Sequence, residues 1–175
     1  MKWLFIDGSP RVRGNTAYIL RSAREELGLQ DGDCAEFRLY GMDLRPCVDC
    51  RRCKAGELAC PVQDGMQELY AAIEGADRIV IGSPIYWSGL TGPMKTFIDR
   101  LRPYYLSGKM KSKILLPALV AADGAGDCDL ALEMIARVAR ALGCRMVEAV
   151  RAKGFDEGDV EREGFSPPDS WRDEA

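Results

Sequence analysis

The apolar residues of this chain fall into two kinds of pattern, which alternate along the sequence. Short apolar runs bounded by glycine, proline or charged residues predict β-strands. Residues that recur at i, i+3, i+4 and i+7 between these runs predict amphipathic helices. The predicted strands are Lys2–Asp7, Cys34–Leu39, Arg78–Ser83, Ile114–Ala122 and Met146–Val150. The helical stripes are Ile19, Ala23 and Leu27; Met66, Leu69, Tyr70 and Ile73; Met94, Phe97, Ile98 and Leu101; and Leu132, Ile135, Ala139 and Leu142.

Strands that alternate with helices predict an α/β fold, in which helices cover both faces of a parallel sheet. Five strands in this rhythm fit a flavodoxin-like three-layer sandwich with strand order 2-1-3-4-5. Ligands of such folds bind outside the carboxyl ends of the strands, where the strand order reverses. We expect one domain over residues 1–152, with a cysteine-rich insertion at 46–64. Residues 153–175 have no periodicity and predict a charged C-terminal arm, exposed or disordered unless its aromatic residues dock on a partner subunit.

Composition narrows the function classes. The net charge of -3 gives no reason to expect nucleic-acid binding or attachment to a membrane surface. No apolar run approaches the roughly 18–20 residues that span a bilayer, and the N-terminal run is too short for a signal peptide. We therefore expect a cytoplasmic protein. Histidine is absent, which excludes Ser–His and Cys–His nucleophiles and histidine-ligated metals.

The loop after the first strand has the composition of an anion site. In Gly8–Thr16, small and hydroxyl residues precede a helix whose N-terminus attracts negative charge. The lysine of a triphosphate-binding loop is missing, and so is the glycine pattern of a dinucleotide fingerprint. What remains suits a terminal monophosphate such as that of FMN. The alternative is that Ser9, Asn15 and Thr16 only form a turn and cap the helix.

Two more loops fall at the expected ligand edge. Tyr86 and Trp87, in Pro84–Gly89, offer rings on which a flat aromatic cofactor stacks; the alternative is that they pack on the core or on a dimer interface. Asp123–Asp127 is rich in glycine, which allows close backbone approach to a ligand; the alternative is an ordinary turn.

Four of the seven cysteines lie close together, as Cys47-x2-Cys50-x2-Cys53-x6-Cys60. Closely spaced thiolates of this kind suit a [4Fe–4S] cluster, for which the bacterial ferredoxin run is C-x2-C-x2-C-x3-C. Free thiols and a zinc site with four thiolate ligands are the alternatives. Isolated Cys34, Cys128 and Cys144 predict buried apolar packing.

The segments GSPRVRGNT and GSPIYWSGLTGPMKTFIDRL, in this order around the cysteine-rich loop, resemble the NAD(P)H-dependent FMN reductase family of flavodoxin-like proteins. The likeness covers roughly residues 2 to 150. One departure is Asp7, where the family often has asparagine; a carboxylate near a phosphate should point away or be hydrogen-bonded. The resemblance implies FMN contacts at Ser9, Arg11, Gly14, Asn15, Thr16, Pro84, Ile85, Tyr86, Trp87, Ser88, Asp123, Gly124 and Gly126.

The cysteine spacing also resembles the iron–sulfur flavoprotein branch of that family. This implies a [4Fe–4S] cluster on Cys47, Cys50, Cys53 and Cys60 that passes single electrons to the flavin, with ferredoxin as donor. The leading expectation is an FMN-dependent oxidoreductase that takes electrons from NAD(P)H or ferredoxin and assembles as a homodimer or homotetramer. The alternatives are an iron–sulfur flavoprotein electron carrier and a phosphate-ligand-binding domain with structural cysteines.

Overall fold

The computed structural model describes residues 1–54, 60–105 and 107–172. Within the predicted cysteine-rich insertion and C-terminal arm, residues 55–59 and 173–175 therefore lie outside the described residues. No helix in the described ranges is long and apolar enough to cross a membrane.

The strands are β1 (Trp3–Asp7), β2 (Cys34–Arg38), β3 (Arg78–Tyr86), β4 (Gly89–Leu90), β5 (Ile114–Ala121), β6 (Arg145–Met146) and β7 (Val150–Lys153). Within the described residues they form one seven-stranded sheet, and the parallel order predicted from the sequence is confirmed along its main path, β2-β1-β3-β5-β6. Short β4 pairs antiparallel with β3, and β7 pairs parallel with β5.

The fifth predicted strand is divided into β6 and β7. In the residues between them, the carbonyl oxygen of Glu148 accepts a hydrogen bond from Trp171 Nε1 at 2.9 Å. This carbonyl is therefore engaged by the C-terminal segment instead of a sheet neighbour. An apolar run alone does not reveal such an interruption.

Two layers of helices cover the sheet. The helices are α1 (Asn15–Glu26), α2 (Met66–Gly75), α3 (Gly92–Asp99), α4 (Asp129–Leu142) and α5 (Asp159–Glu163). Side chains of α2, α3 and α4 pack in one apolar cluster with Leu4 and Ile6 of β1, and side chains of α1 and α5 pack in another with Trp3 and Phe5. Successive residues of β1 thus face opposite layers, as strand geometry requires. Gly143, with φ +75°, ends α4 in the left-handed conformation that favours glycine.

The C-terminal segment differs from the exposed arm that we predicted. The Trp171 side chain is fully buried, and its backbone oxygen accepts a hydrogen bond from Arg78 Nη1 at 2.6 Å. Together with Val160 of α5, Trp171 belongs to the apolar cluster on the α1 side of the sheet. The described C-terminal residues therefore form part of the core of their own chain.

The third strand extends beyond the predicted Ser83 to Tyr86 and turns back into β4. Tyr86 pairs with Gly89, so the turn has two central residues, Trp87 and Ser88. Their φ angles of +52° and +61° define a hairpin turn of the type I′ class. This class matches the twist of the flanking strands, although it rarely contains residues as large as tryptophan.

Candidate functional site

An open cleft of about 190 Å³ lies at the carboxyl ends of the strands, at the edge predicted from the sequence. The loop after β1 and the start of α1 form one wall, and the end of β3 forms another. Its lining residues are Ser9, Arg11, Gly14, Asn15, Thr16, Pro84, Ile85, Tyr86, Val120, Ala122, Gly154 and Phe155. The structure therefore brings together eight of the thirteen residues predicted to contact the cofactor.

The loop after β1 is held by hydrogen bonds to the Asp7 carboxylate, which also pairs with Arg38. One carboxylate oxygen of Asp7 accepts from the backbone N–H of Ser9 (2.7 Å), and the other accepts from Arg38 Nε (3.3 Å). Burial raises the pKa of Asp7 above its ordinary value, although the Ser9 hydrogen bond and the Arg38 charge act in the opposite direction. The carboxylate is hydrogen-bonded, which is one of the two arrangements that we expected for an acid at this position.

The loop itself is tightly turned. Ser9 Oγ accepts a hydrogen bond from the backbone N–H of Arg11 (3.1 Å), and the N–H of Gly14 reaches back to the Arg11 oxygen (3.3 Å). A Cβ atom at Gly14 would lie 2.8 Å from the Arg11 Cβ, so this close approach requires glycine. Ser9 thus forms the turn that our alternative interpretation expected, and it also lines the cleft.

The first turn of α1 leaves backbone N–H groups without helical partners. Its N-cap residue is Gly14, and no side chain in the described ranges caps the helix. The first N–H to bond within the helix is that of Tyr18, which donates to the Gly14 oxygen (3.0 Å). The N–H groups before it, beginning at Asn15, lie at the positive end of the helix. This is the arrangement at which proteins bind phosphate groups.

The aromatic wall is only partly as predicted. Pro84, Ile85 and Tyr86 line the cleft, and the Tyr86 side chain remains 46% exposed at its edge. Trp87 and Ser88 do not line it, because they form the tip of the β3–β4 hairpin. There Trp87 is fully exposed, at 102% of its reference area.

The third predicted loop contributes differently. Val120 and Ala122, at the end of β5, line the cleft, whereas Asp123, Gly124 and Gly126 are not among its lining residues. Gly154 and Phe155 follow β7 and complete the lining. Sequence reasoning missed both, although Phe155 stands out in the printed sequence as an aromatic residue directly after a glycine.

A second pocket, between the cysteine-rich loop and the residues that follow α3, contains the clustered cysteines. Cys47, Cys50, Cys53 and Cys60 all line it, with Arg51, Lys54, Arg100 and Arg102 among their neighbours. Burial and the nearby thiols together raise the pKa of the Cys53 thiol. In the described part of the chain, no group of three or more Cys, Asp and Glu residues is arranged to hold a metal ion. The four cysteines line one pocket, but their side chains are not arranged there to bind a common metal ion.

A buried ion pair closes the base of the cysteine-rich loop. The side chains of Arg100 and Asp64 are 1% and 0% exposed, and their closest N···O distance is 2.7 Å. The same guanidinium donates to the backbone oxygens of Arg45 (2.7 Å) and Val62 (3.3 Å), which lie on either side of the four cysteines. Burial alone would raise the pKa of Asp64, but hydrogen bonds from Arg100, Arg45 and Met66 hold it below its ordinary value.

A family model described as NADPH-dependent FMN reductase matches residues 1–155. An iron–sulfur flavoprotein of Methanocaldococcus jannaschii is 31% identical over 135 residues, which are 77% of this chain and 69% of that protein. An iron–sulfur flavoprotein of Archaeoglobus fulgidus is 36% identical over 114 residues, which are 65% of this chain and 51% of that protein. The solved structure of Trp repressor binding protein from Bacillus subtilis has a TM-score of 0.68 and 22% identity, and covers 93% of this chain and 92% of that one.

Proposed function

The chain belongs to the NADPH-dependent FMN reductase family, and from that premise we propose where its cofactor binds and which residues hold it. The protein is an FMN-dependent oxidoreductase of the NAD(P)H-dependent class. We propose that the FMN phosphate binds at Ser9–Thr16 and that the isoalloxazine ring lies against Pro84–Tyr86. The observation that carries this proposal is the cleft, which joins an uncapped helix N-terminus to an aromatic wall.

The phosphate end of the cleft is built from backbone donors and small side chains. The free N–H groups of the first turn of α1 supply charge-assisted hydrogen bonds to a dianion. Ser9 and Thr16, both nearly buried, add hydroxyl groups at the same end. Arg11, which is exposed, supplies the nearest positive charge on the loop itself.

The remaining parts of the cleft suit a flat, largely apolar ring. Tyr86, Ile85 and Val120 give it apolar walls. When bound, FMN supplies the hydride and electron chemistry, which the side chains themselves need not provide. The protein's part is to bind the ring, orient it and leave one side open to the reductant.

The assembly that we propose is a homodimer or homotetramer. Trp87 supports it, because tryptophan is enriched at protein interfaces and association would bury this fully exposed indole. Light scattering should give a mass of two or four chains, and Trp87→Ala should shift the protein toward monomer. A wild-type protein that remains monomeric at micromolar concentration would contradict this part of the proposal.

Binding of FMN and riboflavin to the purified protein tests the site. Each charge-assisted hydrogen bond is worth about 1.5–3 kcal/mol, so loss of the phosphate should weaken binding at least roughly tenfold. We expect FMN to remain bound after desalting and riboflavin to be lost. Absence of flavin absorbance after incubation with excess FMN would refute the site, and equal affinity for the two flavins would refute the phosphate assignment.

The cysteine pocket favours a second candidate function, an iron–sulfur flavoprotein electron carrier that accepts electrons from ferredoxin. Its support is the convergence of Cys47, Cys50, Cys53 and Cys60 on one pocket with cationic neighbours, since the charge of a thiolate-bound cluster is negative. These four residues would hold a [4Fe–4S] cluster, for which their side chains must reorient from the arrangement described above.

Anaerobic reconstitution with iron and sulfide separates the two functions. The carrier function predicts about four irons per chain and a loss of iron in Cys50→Ser, while Cys34→Ser, outside the pocket, retains the wild-type content. Negligible iron together with rapid NADPH oxidation would exclude the carrier and leave the reductase.

A further inference from the structure

The segment that follows β7 lies across the proposed phosphate loop. We call residues 154–160 the C-terminal strap. Arg11 Nη1 donates to the Phe155 oxygen (2.9 Å), and Asn15 Nδ2 donates to the Asp156 oxygen (2.9 Å). Asn15 Oδ1 accepts in turn from the backbone N–H of Val160 (3.3 Å). Arg11 and Asn15, which are predicted to belong to the phosphate loop, thus form hydrogen bonds with the strap.

The strap approaches the loop so closely at Gly154 that a side chain there would displace the Asn15 amide from its hydrogen bonds to the strap. A Cβ atom at Gly154 would lie 2.4 Å from Asn15 Nδ2, well inside contact distance. The backbone N–H of Gly154 also donates to the Ala121 oxygen at the end of β5 (2.9 Å). The strap is therefore fixed at the cleft both by the sheet and by α1.

Asp159 holds the strap in its turn. One of its carboxylate oxygens accepts from the backbone N–H groups of Phe155 and Asp156, each at 2.8 Å. Val160, the next residue, is buried in the apolar cluster beneath α1. The backbone around Phe155 is consequently pinned from both ends.

Phe155 itself is the exception within this fixed segment. It lines the cleft, yet it is 68% exposed, so it adds little to the apolar core. The backbone of Phe155 is held by hydrogen bonds, and its exposed ring lies at the edge of an open cleft. Such a ring is suited to covering a ligand, because little conformational entropy is lost when the ligand binds. Its position next to Arg11 and Asn15 places it at the phosphate end of the cleft.

From this geometry we infer that the C-terminal strap is a wall of the cofactor site and that Phe155 covers bound FMN at its phosphate end. The inference rests on the proposed function and adds to it a binding element beyond β5. It assigns Arg11 and Asn15 a second role, because they couple the strap to the phosphate loop through side-chain hydrogen bonds. Loosening the strap should then weaken FMN binding even when every lining residue is unchanged.

Two variants with matched controls test the strap. Phe155→Ala removes the ring, and Tyr105→Ala removes an exposed aromatic residue that lines a different pocket. Asp159→Ala frees the strap backbone, and Glu163→Ala removes an exposed carboxylate from the same helix, α5. The FMN dissociation constant is measured by quenching of flavin fluorescence, and the dissociation rate by the recovery of that fluorescence after dilution of the complex.

We expect both strap variants to bind FMN roughly tenfold more weakly, mainly through faster dissociation, as the loss of the apolar area that Phe155 buries against the ligand, or of its support, implies. Both controls should keep the wild-type dissociation constant for FMN.

Because Phe155 is exposed, the melting temperature of Phe155→Ala should match that of the wild type. If Asp159→Ala does not fold, the FMN affinity of Phe155→Ala alone tests the strap inference. If the wild type binds FMN and Phe155→Ala binds it equally well, the strap inference is wrong and the proposed function stands. If the wild type binds no FMN, the proposed function fails first.

Discussion

Asp7 places a carboxylate next to the loop that we propose to bind phosphate. Its two oxygens are occupied by the Ser9 N–H and by Arg38, yet burial still leaves its pKa above the ordinary value. The folded protein therefore favours the protonated form of Asp7 more than the unfolded chain does. The sequence reveals the unusual residue, because the motif around it is recognisable. It does not reveal Arg38, which lies 31 residues away and reaches Asp7 only through the pairing of β1 with β2.

Replacement of Asp7 by asparagine should strengthen FMN binding. Asparagine keeps an oxygen that can accept from Ser9, removes a negative charge near the phosphate and releases Arg38. We expect binding roughly three- to tenfold tighter at about pH 7.5, where a phosphate monoester is mostly a dianion. Titration of flavin fluorescence measures this directly. A weaker-binding Asp7→Asn protein would show instead that the carboxylate is needed to hold the loop.

The same variant should change the dependence of stability on pH. Because the folded-state pKa of Asp7 is raised, its contribution to stability is fully present below the ordinary value of 3.8 and is lost as the pH rises through the folded-state pKa. As the pH rises from about 4 toward 7, the free energy of unfolding of Asp7→Asn should therefore increase relative to that of the wild type. Urea unfolding at several pH values measures the difference, and parallel profiles would contradict the shift.

At the scale of single elements, the pattern of apolar residues predicted strands and helices well, and the hairpin and the strap poorly. The stripes of α2 and α4 are buried as expected, apart from half-buried Tyr70, because amphipathic periodicity is a local property of the sequence. The central residues of the turn, Trp87 and Ser88, are neither asparagine nor glycine, so the local sequence does not predict a two-residue hairpin. The strap depends on contacts of Arg11 and Asn15 with residues more than 140 positions later, which no local pattern encodes.

The cysteine-rich loop depends on the Arg100–Asp64 pair at its base. Arg100→Gln leaves a buried carboxylate without its partner, which typically costs about 3–5 kcal/mol. The double variant with Asp64→Asn should recover part of this loss, because the uncompensated charge is gone. Lys95→Ala, which breaks an exposed ion pair with Asp99, is the control and should cost less than about 1 kcal/mol. Urea unfolding measures all three, and an Arg100→Gln loss no larger than that of the control would contradict a buried pair.

At the scale of the whole molecule, the strand order followed from the alternation of elements, but the boundary of the domain did not. Right-handed crossovers leave few arrangements for alternating strands and helices, and the observed sheet is one of them. The C-terminal residues lack periodicity, which predicts an arm, whereas Val160 and Trp171 are buried. Their burial depends on distant partners, such as Arg78, 93 positions before Trp171.

Trp171 should therefore be a major contributor to stability. Trp171→Ala removes a fully buried ring and its hydrogen bond to Glu148, and large-to-small changes of this kind cost about 3–5 kcal/mol. Trp171→Phe retains most of the apolar volume and should cost distinctly less. Chemical unfolding of the two variants provides the measurement. A Trp171→Ala protein as stable as the wild type would mean that the C-terminal segment is an exposed arm after all.

The most direct test of the central claim is a crystal structure of the protein with FMN. The account predicts density for the phosphate at the N-terminus of α1, within hydrogen-bond distance of the backbone N–H groups of Asn15 and Thr16, with the flavin ring against Tyr86 and Phe155 beside the phosphate end. Flavin bound elsewhere, or a closed cleft between Ser9 and Tyr86 with no flavin in it, would contradict the account.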